Sequence, residues 1–517
     1  MKTRTHILER AGHPYRPNPV SPWSMLALVA IVLAAPLPSV QAQNGGAGAA
    51  ANSAATGSGS SSTSIGSGAT GRLPLTSTAD QAVFDLAQTV VAGLASSSDL
   101  QNAARNVEID RKEADRQAAA GRPQVSADAS ATRYDQATSI NFGGTTIQTL
   151  PTHSEQLSLS LSEQLDITGQ IRAATDQQRL QSLADQFQYE YIRNQRILRA
   201  KTIYFDLLRA QHLVQVNEAS LTTAQRQLLD AQHLNTAQVG EKIDVYRAAT
   251  QVANAQQQLT SAQNDLDIAR ANFNDLTGRP LPQPVTVVDV PGVNVGVDIP
   301  NAPTVGAPTS LGFTPFNVAP SEIAGIDLNE SLKTAFLHRP EVLSDQVNVR
   351  VEETGVKLAR AGLEPTLDIG AEGLYYPTLS FQNPRKRVAQ VTATLRIPLY
   401  DGGATRDKVA EARLRTQNAQ TTLASAKSNV ALDVRQSYLN LQTAARQIAS
   451  VNTALEQAIA ARQLAQIRYE GQVGTYLDVT DAQSALVQAE DNQVDAVYSY
   501  LTSRAQFENA IGVPQTR

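Results

Sequence analysis

Val239-Gly240-Glu241-Lys242-Ile243-Asp244 and Val473-Gly474-Thr475-Tyr476-Leu477-Asp478 stand 234 positions apart, and each closes a long stretch that holds neither glycine nor proline. The stretches, residues 171–239 and 404–470, are 69 and 67 residues long, enough for helical rods of about 100 Å. Val430, Val434, Tyr438, Leu441, Ile448, Val451, Leu455 and Ile459 recur at three and four residues, the stripe of a coiled-coil or bundle helix. Beyond each Val-Gly pair a second helix returns for about 36 residues, roughly 54 Å, to end at Gly278 or Gly512. A glycine at the reversal supplies the positive φ that turns the chain back.

Setting residue n against n + 234 overlays residues 161–278 on 395–512 without a gap, with 27 identities in 118 positions. Many fall on residues that composition does not supply by chance: Gly169 with Gly403, Tyr204 with Tyr438, Asp244 with Asp478, Phe273 with Phe507, Gly278 with Gly512. One ancestral unit has been duplicated, which predicts one fold used twice.

Outward from the long helices, each copy begins with strands. Leu157, Leu159, Leu161 and Leu165 alternate with Ser158, Ser160, Ser162 and Gln164, and in the second copy Val391, Ala393, Leu395, Ile397 and Leu399 alternate with Thr392, Thr394 and Arg396. Earlier strands start after Pro123 (Val125, Ala127, Ala129) and after Pro365 (Leu367, Ile369, Ala371), joined to the later ones by loops at Asn141-Phe142-Gly143-Gly144 and Asn383-Pro384-Arg385-Lys386-Arg387. Period-two alternation means one apolar and one polar face. The predicted total is four strands in two hairpins. Closure of a barrel takes about eight or more strands, and an open amphipathic sheet in lipid leaves unpaired edges, so the barrel is shared between chains. A small soluble sheet packed on helices is the other reading of the same pattern.

Helices are also predicted before each strand pair, over residues 79–120 and 328–361. Two shorter helices end to end match the length of one long helix, the layout of a hollow helical cylinder. The remaining segments differ in composition. Lys2, Arg4, Arg10 and Arg16 precede an apolar run, residues 25–35, that ends at Val40-Gln41-Ala42, which reads residues 1–42 as a signal peptide. Residues 43–72, almost wholly Gly, Ala, Ser and Thr, read as a flexible tether, and 280–325 as a Pro/Val-rich linker. This leaves 73–279 and 326–512 as the two structural repeats and 513–517 as a tail. The eleven apolar residues of 25–35 fall short of the roughly 20 that a membrane-spanning helix needs, and the absence of cysteine excludes disulfides and an acylated N-terminal cysteine. Membrane attachment therefore falls to β-structure. A net charge of −5 with 18% charged residues gives no basic surplus for nucleic acid.

Several of these stretches together resemble the outer-membrane efflux protein family, the TolC-like outer-membrane factors. They are the helix start Ile326-Asp327-Leu328-Asn329-Glu330-Ser331-Leu332, His338-Arg339-Pro340-Glu341, Leu363-Glu364-Pro365, the corner Pro398-Leu399-Tyr400-Asp401-Gly402-Gly403, and the tip from Arg468-Tyr469-Glu470 to Asp481-Ala482. The first copy departs from the family at its corner, where Gln164-Leu165-Asp166-Ile167-Thr168 carries no proline. The resemblance implies a mainly α chain with a membrane β-barrel portion: a homotrimer whose shared 12-stranded barrel sits in the outer membrane of a Gram-negative bacterium and continues into a long periplasmic α-helical barrel. It implies an exit duct for a tripartite efflux or type I secretion system, docked on a periplasmic adaptor and so indirectly on an inner-membrane pump. Cargo is set by the pump rather than the duct.

The same resemblance makes Val239, Gly240, Val473 and Gly474 the tips that meet the adaptor, beside their simpler reading as hairpin turns. Asp478, Asp481 and Asp244, with Tyr469 close by, become candidates for the periplasmic aperture, where three-fold symmetry turns each carboxylate into a ring. The same aspartates also suit the first turns of the return helices, where orphan N–H groups favour a carboxylate. His153, His212, His233 and His338 are scattered, and no metal-ligand spacing, phosphate loop or nucleophile motif appears, so the chain is read as a non-enzyme without cofactor or metal. The competing class is a periplasmic structural coiled-coil protein that never enters a membrane; it leaves the amphipathic strand pair in both copies unexplained.

Overall fold

A computed structural model of the chain describes residues 82–150, 152–290, 325–378 and 383–513. The predicted signal peptide and tether, most of the linker and most of the C-terminal tail lie outside those residues. The described residues form two compact units.

The first unit is built on a four-stranded antiparallel sheet ordered β2 (Gln124–Arg133), β5 (His153–Leu165), β7 (Thr366–Tyr375), β8 (Arg387–Arg396). Strands from both copies therefore share one sheet, joined where β5 meets β7. The register carries the alternation across all four strands: Val125, Leu161, Ala371 and Val391 form one rung, and Ala127, Leu159, Gly373 and Ala389 another. The opposite face bears Ser126, Ser160, Glu372 and Gln390, with Ser126 and Ser160 hydroxyls 2.6 Å apart. Apolar side chains on the first face stay in the open: Val125 is 63% exposed, Val391 68% and Leu395 56%. Such a face needs an apolar surrounding.

The expected total of four strands is too low, since eight appear among the described residues. β3 (Thr138–Phe142) and β4 (Thr145–Leu150) add a hairpin of their own in what reads as a loop, because Gly143 and Gly144 take φ of 59° and 87°. Two successive positive φ values are what a tight two-residue hairpin turn demands. The other two, β1 (Ala82–Phe84) and β6 (Val285–Val287), lie in the second unit as a short parallel ladder. Three residues carry too little periodicity to be seen in sequence.

The second unit is helical. α1 (Leu86–Ala95) and α2 (Ser98–Ala119) replace the single helix expected over 79–120, since Asp85 starts the first with a capping box and Ser97 caps the second through Leu100 N–H. α3 (Gln170–Thr236) and α4 (Lys242–Thr277) form the first long hairpin. α5 (Leu328–His338) and α6 (Pro340–Arg360) replace the helix expected over 328–361, because Pro340 has no N–H to continue α5 and starts α6 instead. α7 (Ala404–Glu470) and α8 (Tyr476–Ala510) form the second hairpin. The offset of 234 recurs in the backbone: α3 and α7 start and stop in register, as do the starts of α4 and α8. α3 packs on α4, α6, α2 and α8, and α7 on α8 and α6, around a core that holds Tyr204, Leu207, Leu208, Phe273, Val434 and Val497.

The two strand-to-helix corners reach the same backbone by different side chains. Gly169 and Gly403 both sit left-handed at the helix start, with φ of 80° and 93°. In the first copy Asp166 accepts from the N–H groups of Ile171 and Arg172, at 3.0 and 3.1 Å; in the second Asp401 accepts from those of Gly403 and Thr405, at 3.0 and 2.7 Å. The corner without proline is thus capped as well as the corner with it.

Candidate functional site

Each long hairpin of the helical unit reverses within six residues, and the reversals are superposable in their hydrogen bonds. Val239 and Gly240 N–H both donate to Leu234 O at 3.0 Å; Val473 and Gly474 N–H both donate to Arg468 O, at 2.9 and 3.0 Å. The residue with positive φ is not the glycine. It is Gln238 (61°) in one tip and Gln472 (57°) in the other, which corrects the sequence expectation. Gly240 and Gly474 are required for a different reason: a Cβ on Gly240 would lie 2.9 Å from Leu234 Cβ and one on Gly474 would lie 3.0 Å from Arg468 Cβ, each with backbone atoms at 3.2 Å. The glycine lets the outgoing chain lie against the last turn of the incoming helix. Glutamine accepts the left-handed conformation at a modest cost because the two converging N–H bonds fix the turn around it. Val239 and Val473, at the apex, are 61% and 73% exposed.

Capping of the return helices differs. Thr475 and Asp478 form a reciprocal capping box, Asp478 N–H donating to Thr475 Oγ1 at 3.2 Å and Thr475 N–H to Asp478 Oδ2 at 2.9 Å. The Thr475 N–H and hydroxyl, with the Arg468 guanidinium, hold the Asp478 carboxyl below its ordinary range. At the other tip Glu241 makes no side-chain cap, and Asp244 sits 3.5 Å from Arg247. Asp481 is exposed, one turn further along α8.

The tips are stitched together below their apices by Tyr476. Its ring meets Tyr469 edge-on at 5.7 Å between centroids and packs with Ala231, Ala248, Leu228 and Val245, so both hairpins contribute to one small cluster. Burial pushes the Tyr476 hydroxyl up to about 12, with Tyr469, Asp244 and Asp230 adding to it. Tyr469 is shifted the same way, first by burial and then by Asp244 and Asp230. Of the aperture candidates, the structure thus brings Tyr469 and Asp244 together, while Asp478 and Asp481 stay on the exposed side of α8. Tyr476 and Gln472 were missed in sequence. Both had a signal: Gln238 and Gln472 are identical at the 234 offset, and Tyr476 sits inside the Thr475-x-x-Asp478 capping pattern.

Elsewhere, His212 is buried between Tyr498, whose hydroxyl lies 3.1 Å from Nδ1, and Asp289, 3.4 Å from Nε2. It pins the chain just after β6 to the helices. Among the described residues no His, Cys, Asp or Glu cluster could hold a metal, and no helix is long and apolar enough to cross a membrane.

The family model described as "Outer membrane efflux protein" matches residues 90–279 and 332–513, one segment in each copy. The outer membrane protein TolC of Escherichia coli (strain K12) is 24% identical over 369 residues, 69% of either chain. The solvent efflux pump outer membrane protein SrpC of Pseudomonas putida is 23% identical over 433 residues, 81% of this chain and 83% of that one. Among solved structures, the Campylobacter jejuni CmeC outer membrane channel superposes with a TM-score of 0.65 at 17% identity, over 83% of this chain and 85% of that chain. At such identity the structural likeness speaks for the fold.

Proposed function

The chain belongs to the outer membrane efflux protein family, and from that premise we propose that three copies close one barrel and form a passive exit duct from the periplasm to the exterior. The protein is an outer-membrane conduit of an efflux or secretion system and no enzyme. One observation carries the trimer: a four-stranded sheet with an exposed apolar face ends on β2 and β8, every residue of which is exposed. Joining β8 of one chain to β2 of the next removes those edges, and three chains give twelve strands. β8 also has the dimensions of a membrane strand. Arg387 and Arg396 bracket eight uncharged residues, and the ten-residue strand, tilted by about 40°, spans about the 25 Å of an outer-membrane apolar band. A purely periplasmic coiled-coil protein has no use for such a face.

The helical unit then lies in the periplasm with its hairpin tips as the docking ends for an adaptor, through exposed Val239 and Val473 over Gly240 and Gly474. Asp478 and Asp481, with Asp244 and Tyr469 nearer the joint, line the aperture. The domain plan, a cleaved leader and tether followed by two repeats separated by a linker, completes this reading. Cross-linking of protein extracted from outer membranes in mild detergent should trap a trimer. Only monomer in that experiment would remove the shared barrel. Gly240→Val or Gly474→Val should abolish export while leaving the trimer intact; normal export would reduce the tips to plain turns.

A further inference from the structure

β8 starts at a basic cluster. Arg385, Lys386 and Arg387 are consecutive and exposed, and no acidic residue occurs between Glu372 and Asp401. None of the three has an ion-pair partner among the described residues. The base of the loop is held by Tyr376 N–H donating to Lys386 O at 2.9 Å, so the cluster is placed at one end of the sheet rather than on a free segment.

The register decides which way the cluster looks. Arg387 pairs with Tyr375, Tyr375 with Leu157 and Leu157 with Ala129, one rung of the sheet. By strand alternation this rung belongs to the face of Val391 and Leu395, the exposed apolar one. Arg387 and Tyr375 therefore terminate the lipid-facing band, an aromatic and a cation side by side. Charges that merely guard an edge strand against aggregation are placed along it, whereas β8 carries none between its two ends. Two carboxylates lie at this end: Glu155 on β5, two strands from Arg387 and roughly 10 Å away across the sheet, and Asp135, two residues beyond the end of β2.

Arg396, at the opposite end, has the parity of the polar face, so the two ends of β8 differ: a cation toward the polar face at the end that leads to α7, and a cation, Arg387, toward lipid at the loop end, with Lys386 and Arg385 just beyond the strand. Resting on the reading above, in which the helices are periplasmic, the loop end is the outer one. We infer that Arg385, Lys386 and Arg387 form a binding site for the phosphate groups of the outer-leaflet glycolipid, lipid A, with Tyr375 against its sugar and acyl boundary. Barrel closure brings Arg133, which shares the apolar face and the outer end of β2, to the same rim from the next chain. A lysine or arginine near an anionic membrane surface contributes about fivefold in binding.

The test is native mass spectrometry of the full trimer with bisphosphorylated lipid A, dephosphorylated lipid A and inorganic phosphate, for wild type and for Arg385→Gln/Lys386→Gln/Arg387→Gln. Wild type should prefer the bisphosphorylated lipid by tenfold or more, and the triple variant should lose that preference at about fivefold per charge. Millimolar phosphate should not displace the lipid. Equal binding of the two lipids by wild type, an unchanged preference in the variant, or displacement by phosphate alone would each overturn the site. If the triple variant fails to accumulate, Arg387→Gln alone and a salt titration of wild type decide it, since a preference that survives high salt is not electrostatic. Failure of the duct reading looks different: the wild-type protein is then missing from outer-membrane fractions altogether.

Discussion

The two copies of the repeat keep the same backbone and satisfy it with different chemistry. At the tips the left-handed glutamine, the doubly used carbonyl and the glycine without room for a Cβ recur at the offset of 234. The cap does not: Thr475 and Asp478 form a box where Glu241 offers no side chain. The C-terminal carbonyls of the return helices are each taken by an arginine, but Arg196 from α3 serves Leu276 O and Arg339 from the α5–α6 junction serves Ala510 O. Gln256 and Gln257 in α4 correspond to Glu490 and Asp491 in α8. A steric requirement has one solution and survives duplication. A polar requirement has many, and the copies have drifted among them.

The arginine pair tests this at its largest amplitude. Arg339 is buried against the carboxylates of Glu341, at 2.7 Å, and Asp433, while Arg196 holds only uncharged acceptors, the carbonyls of Gly93 and Leu276 at 2.9 and 3.0 Å and the Ser96 hydroxyl at 3.4 Å. Arg339→Ala leaves the mostly buried Glu341 carboxylate without its cation, while the half-exposed Asp433 stays in water, and should cost about 3 kcal/mol. Arg196→Ala should cost about 2 kcal/mol. Denaturant melts of the two variants giving equal losses would mean that the charges in the second copy add nothing.

Next comes pH. Burial, reinforced by Asp491 and opposed by Arg462, pushes the Glu490 carboxyl up to about 7 from an ordinary 4.5. The folded state then favours the protonated form, so stability falls as pH rises from about 4.5 through 7, by up to roughly 3 kcal/mol. Glu490→Gln makes the second copy like the first and should remove that part of the slope. Asp491, pushed up to about 6 chiefly by burial, keeps a smaller slope of the same sign. Thermal melts by circular dichroism at pH 5 and pH 8 would show it as a narrower gap in the variant, and an unchanged gap would place Glu490 in open solvent.

These contrasts also mark what could be read in the sequence. The long helices, their return and the four-strand sheet were legible because gap-free apolar stripes and period-two alternation are long signals, repeated once. The breaks at Ser96 and Pro340, the three-residue β1 and β6, and the β3–β4 hairpin were not, since each depends on one or two residues. At the tips the glycines were found for the wrong reason. The offset of 234 marks the glutamine two residues before each glycine as shared, but its left-handed conformation only becomes visible when the two carbonyl-sharing turns are seen together.

The cap comes third. Thr475→Ala removes one half of the box and should lower stability by about 1 kcal/mol. Glu241→Ala in the other copy should lower it by nothing measurable, because Glu241 makes no side-chain cap. Equal losses at the two tips would show that the second tip gains nothing from its box.

Among the acidic residues of α8, the smallest effect on stability is expected where the effect on transport should be greatest, at Asp481, and the contrast is with Asp478. Asp478 serves the capping box, so its carboxylate is committed to Thr475 N–H and its depressed titration ties it to the fold: its contribution is present above its ordinary range and is lost as pH falls through the lowered value. Asp481 lies one turn on, exposed, and is free to act on ions if three copies face one another across a narrow opening. Asp481→Asn should therefore leave the melting temperature unchanged and still weaken cation selectivity and block by multivalent cations in planar bilayers. Asp478→Asn should do the reverse in part, lowering the melting temperature while leaving one ring of carboxylates in place. If Asp481→Asn channels keep full cation selectivity, the acidic residues of α8 are helix-start residues like Asp244 in the first copy, and the aperture is formed by other groups.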